Sequence, residues 1–100
     1  DVMDVSTGGI MSGVSIPVKP NYQVPFSEQV KAKADIPVTA VGLITKPKQA
    51  AKIVAKGEAD AVEIGRASLR DPYWPLRAAS KLGVPVAEAP YQPQYVRGAY

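Results

Sequence analysis

In VEIGRASLRDP, residues 62–72, an apolar run meets Gly65-Arg66 and, after one short turn, Asp71-Pro72. A short apolar run closed by glycine reads as a buried strand, DAVEI at 60–64. Gly65 and Arg66 then stand where the carboxyl end of that strand enters the next loop, the place where α/β proteins hold their ligands. Two earlier segments have the same form: VMDVS at 2–6, ending in Thr7-Gly8-Gly9, and PVTAV at 37–41, ending in Gly42.

Helical patterns separate and follow these strands. TKPKQAAKIVAKG carries Thr45 or Lys46 at its cap, Pro47 in its first turn, Ala50, Ile53 and Val54 on one face, and Gly57 as its stop. PFSEQVKAKAD is a shorter helix with Phe26 and Val30 four apart, RASL a single turn, and LRAASKLG a last helix ending at Gly83. Strands alternating with helices imply parallel strands joined by right-handed crossovers. Gly42 and Gly65 are 23 residues apart, a distance suited to one αβ unit. Three units of a typical (β/α)8 barrel occupy about 94 residues. The expected fold class is therefore α/β, three consecutive units of a TIM barrel, with a doubly wound open sheet sharing the same local pattern. Residues 1–83 form this partial barrel; residues 84–100, with three Pro, three Tyr and no helical period, form an extended tail suited to another surface. Gly8 to Pro25 holds three Gly and three Pro, and so long a loop is usually functional or disordered.

Composition narrows the chemistry. The 100 residues carry 12 Lys plus Arg against 9 Asp plus Glu, scattered rather than in runs, which argues against nucleic acid as a partner. No Cys and no His are present, removing disulfides, thiolate chemistry and the commonest acid/base and metal-binding side chain, so no metal site is expected. No apolar run approaches the roughly 20 residues of a membrane span, and the default is a soluble cytoplasmic protein. The opening DVMDVSTGG reads like the inside of a folded unit, as expected of a fragment. Three parallel strands leave two open edges and an apolar face, which points to self-association or to the remainder of a barrel as partner.

Glycine ending a parallel strand lets backbone approach a ligand, and the N–H groups that follow favour an anion, to which Arg66 adds a forked, charge-assisted contact. Gly42 in AVGLIT supplies a second such wall, and Ser6 and Thr7 in DVSTGG a third. The alternative is that Gly65 is only a turn, Arg66 pairs with Glu63 or Asp71, and Ser6 belongs to an ordinary strand-to-loop turn. Glu58 with Asp60, and Glu28 with Asp35, read as solvated helix ends; Tyr73, Trp74, Met3 and Met11 read as packing residues.

Jointly, DVSTGG, NYQVPFSEQVK, AVGLIT, ADAVEIGRASLRDPYWPLRAA and PQYVRG resemble the C-terminal part of the Old Yellow Enzyme family, FMN-dependent ene-reductases also described as NADPH dehydrogenases or xenobiotic reductases. The resemblance covers essentially the whole chain, and is greatest to the bacterial subgroup with a C-terminal arginine tail. It implies barrel strands six to eight, with Gly65 and Arg66 on the FMN phosphate, Gly42 and Leu43 in the preceding loop, and Ser6 near the flavin. It also implies that Arg97 works in a neighbouring subunit of a homo-oligomer. The family's chemistry is hydride transfer from NADPH or NADH through FMN to an activated alkene such as an enone. The His-containing clamp that polarises the substrate carbonyl lies outside this chain, so no catalytic residue is assigned here. Asn21 stands where the close relatives are expected to have Gly; Asn tolerates a left-handed backbone. Two rival readings remain at this level: a phosphate-binding barrel fragment of a non-flavin enzyme, and a non-enzymatic, self-assembling barrel module.

Overall fold

A computed structural model describes all 100 residues. Three short strands, β1 (Met3–Val5), β2 (Val38–Ala40) and β3 (Ala61–Val62), form one parallel sheet in the order β1-β2-β3. Met3 faces Val38 and Val5 faces Ala40; Thr39 faces Ala61 and Ala40 faces Val62. The period of two decides the faces. Val5, Val38 and Ala40 are buried towards the helices, while Asp4 and Ala61 are exposed on the other side.

The helices are α1 (Val24–Lys33), α2 (Pro47–Ala55), α3 (Arg66–Arg70) and α4 (Trp74–Lys81). Pro25, Pro47 and Pro75 each sit in a first turn, where the missing N–H costs nothing. Ala50 and Ile53 of α2 enter a core with Val24, Ala40, Ile44 and Ala59, and Val62, Ile64 and Trp74 pack against it. Burying Val38 and Ile53 contributes roughly 2 kcal/mol each.

Several packing expectations change. On α1 the buried residues are Val24 and Ser27, with Phe26 half-exposed, because the Ser27 Oγ–H is shared between the Val24 carbonyl at 2.8 Å and the Glu58 carbonyl at 3.0 Å. A hydroxyl so satisfied is buried at little cost. Val54 turns outward on α2, Met3 and Met11 are exposed, and Tyr73 is exposed while Trp74 packs inward. The tail is not simply extended: a 3-10 helix spans Pro93–Gly98, none of it buried.

The sheet ends at two open edges. The radius of gyration is 15.3 Å, against about 13 Å for a compact domain of this length. Large apolar side chains such as Val2, Met3 and Ile36 are left uncovered.

Candidate functional site

The loops leaving the carboxyl ends of the three strands enclose a cleft of about 280 Å³. Its lining includes Ser6 after β1, Gly42 and Leu43 after β2, and Gly65 and Arg66 after β3. All five residues expected to bind the cofactor are thus on one cavity. Arg97 is not: it lies on the 3-10 helix against a separate surface with Tyr73, Tyr91, Tyr95 and Tyr100.

Backbone conformation shapes the middle wall. Gly42 has φ +112° and Leu43 φ +50°, so the chain makes a sharp turn that an L-residue at 42 would resist. Space closes the position as well: a Cβ on Gly42 would lie 2.6 Å from Gln23 Nε2 and 2.7 Å from Tyr22 Cε1. Gly65 differs, with nothing within 4 Å of a Cβ added there, so its face is open.

Two glutamines that the sequence alone did not single out hold these loops. Gln23 is buried, and its Oε1 accepts hydrogen bonds from the Thr7 N–H and from Thr7 Oγ1, while its Nε2 donates to the Val41 carbonyl at 3.3 Å. It therefore ties the end of β1 to the end of β2. Gln49 clamps the far side: its Nε2 donates to Asn21 Oδ1 at 2.6 Å and to the Leu43 carbonyl at 2.9 Å, and its Oε1 accepts from Thr45 N at 3.0 Å. Asn21 has φ +63°, the left-handed backbone expected for it. Gln49 falls on α2 two residues past Pro47, a position from which a side chain reaches back over its own helix start.

Charge at the cleft is set by what the cations lack. The chain's ion pairs are Lys31 with Asp60 at 2.8 Å and Arg77 with Asp71 at 2.6 Å. Glu63 accepts a hydrogen bond from Thr39 Oγ1 at 2.5 Å. Both acids offered as alternative partners for Arg66 are thus engaged elsewhere, and Arg66 makes no ion pair. Arg66 and Ala67 open α3, so their N–H groups have no carbonyl within the helix to bond. The Arg66 guanidinium, the free Arg66 N–H and the open face of Gly65 make a donor set that fits a phosphate monoester such as that of FMN. Glu63 lines the same cavity, two residues before Gly65.

Residues 3–84 match the model of the NADH:flavin oxidoreductase / NADH oxidase family. An NADPH dehydrogenase of Geobacillus thermodenitrificans is 50% identical over 98 residues, covering 98% of this chain and 28% of that protein. NADPH dehydrogenases of Bacillus licheniformis and Listeria innocua are 45% and 46% identical over 92 residues, covering 92% of this chain and 26% and 27% of theirs. The chain spans little more than a quarter of the length of these curated relatives.

Proposed function

The chain belongs to the NADH:flavin oxidoreductase / NADH oxidase family, whose cofactor is FMN and whose fold is a TIM barrel, and from that premise we propose that it forms strands six to eight of such a barrel and its FMN-phosphate end. The observation that carries this reading is the meeting of Ser6, Gly42, Leu43, Gly65 and Arg66 on one cleft. The Arg66 guanidinium and the free Arg66 N–H hold the phosphate. Gly65 lets it approach the backbone. Gly42 and Leu43 form the adjoining wall, and Ser6 lies towards the flavin.

When bound, the flavin carries hydride from NADPH to an activated alkene such as an enone. This chain's part is to bind and orient it. The chain has no His, so polarisation of the substrate carbonyl falls to residues supplied by the rest of the barrel. Arg97, exposed and without an acidic partner, extends from the tail towards a neighbouring subunit's substrate.

Titrating FMN and riboflavin against the chain tests the phosphate assignment, because the two differ by the phosphate alone. FMN is expected to bind at least tenfold more tightly than riboflavin, and Arg66→Ala to abolish the difference while leaving riboflavin unchanged. Equal binding of both flavins by the unaltered chain would overturn the assignment. With this chain replacing the matching segment of a full-length relative, Arg97→Ala is expected to raise the KM for an enone with flavin still bound. Loss of flavin would place the tail elsewhere.

A second reading has its own observation, the open sheet edges and uncovered apolar side chains. In isolation this chain associates with itself. Sedimentation at increasing concentration checks this; a mass that stays monomeric throughout removes it.

A further inference from the structure

We infer that Gln23 is the positioning residue of the cleft: it sets the distance between the loops after β1 and β2 through the two ends of one side-chain amide. This rests on the proposal that the cleft takes FMN. The amide is buried, 4% exposed, and spans 16 residues back to Thr7 and 18 forward to Val41. Gln23 and Val41 line the cleft, and Thr7 adjoins Ser6 of the same lining. The same Nε2 occupies the space that a Cβ on residue 42 would need, so glycine at 42 and glutamine at 23 are parts of one arrangement.

Polarity gives the latch a direction. The Thr7 N–H and hydroxyl need an acceptor and the Val41 carbonyl needs a donor, so a side chain that bridges them must present both. An aliphatic residue would leave the carbonyl of the half-buried Val41 and both donors of the exposed Thr7 without their partner, and a carboxylate would satisfy Thr7 but repel Val41. The consequence is a cleft whose Ser6 and Gly42 walls move apart when either half of the amide is lost.

Two variants read the halves separately. Gln23→Leu is expected to bind FMN about tenfold more weakly at every pH, and to speed hydrogen exchange at the Thr7 amide by about tenfold. Gln23→Glu keeps the acceptor for Thr7, whose exchange should stay close to that of the unaltered chain. Its FMN affinity, taken as a ratio to the unaltered chain at the same pH, should be about tenfold low at pH 8 and recover towards pH 5 as the carboxyl protonates and donates to Val41. A merely structural role would not move the ratio with pH in one variant alone. Binding by both variants within twofold of the unaltered chain, while that chain still prefers FMN to riboflavin, would overturn the inference and leave the cofactor assignment standing. Absence of that preference in the unaltered chain would remove both together.

Discussion

At the cleft, polar side chains each hold several partners: the half-buried Gln49 uses both hydrogens and its oxygen, the buried Gln23 bridges two strand ends, and Gly42 sits where no Cβ fits. At the tail, residues 84–100 bury nothing and are attached through Arg77, whose guanidinium lies 4.4 Å from the centre of the Tyr100 ring and donates to its hydroxyl at 3.0 Å. Tyr91 adds one bond, accepting from the Tyr100 N–H at 3.2 Å. The difference teaches which region is fixed by folding and which is only laid against the surface. A buried amide such as that of Gln23 cannot exchange partners with water without opening the cleft wall, whereas exposed aromatic and cationic contacts are exchanged at little cost. A ligand wall needs the first kind of construction, and an arm meant for a neighbouring subunit needs the second.

The largest effect is expected from Ile53→Ala, which empties the core beneath the cleft, where Ile53 is 1% exposed. It should cost about 3 kcal/mol in urea unfolding. Next, Gly42→Ala should cost about 2–3 kcal/mol, from backbone strain and overlap with Gln23 and Tyr22 together. Gly13→Ala is its control: φ is +77° but the space is empty, so only the conformational cost of about 1 kcal/mol remains. Equal costs for the two glycines would break the contrast between enclosed and open construction.

Arg77→Gln sharpens the contrast from the other side. It should leave the unfolding midpoint where it was and make residues beyond Gly83 easier for a protease to reach. A midpoint falling as far as that of Gly42→Ala would make the tail part of the core. The smallest effect is on the acid side. The hydrogen bond from Lys31, then that from the Val38 N–H, holds Asp60 below the ordinary carboxylate value, against a smaller opposing effect of burial. Because the folded value is depressed, this contribution is present above the unfolded value of about 4 and is lost as pH falls through the folded one. Asp60→Asn should therefore flatten the fall in urea midpoint below about pH 4.

Glycines at strand ends, prolines in first turns and the alternation of strand with helix are local signals, and they carried the three parallel strands and four of the lining residues, Ser6, Gly42, Gly65 and Arg66, into view; Leu43 came only with the family resemblance. Gln23 and Asp60 were not legible in that way. Each bonds to residues 16 or more positions away, and nothing in the local pattern distinguishes such a glutamine or aspartate from a solvated one. Asp60 was read as a solvated helix end, yet it joins Lys31 of α1 to the start of β2. The tail's 3-10 helix was hidden for a related reason: its prolines signal extended chain, and its attachment depends on Arg77 in another element.

One further feature joins the two regions. The chain's single tryptophan, Trp74, packs against the core and donates its Nε1–H to the Thr45 carbonyl at 3.1 Å. Thr45 belongs to the cleft lining, while Trp74 begins the helix on which Arg77 carries the tail. The molecule thus has one indole chromophore at the junction, and its emission reports without added label whether that helix is docked. A red shift with the sheet still folded would register detachment of α4 as an event separate from global unfolding.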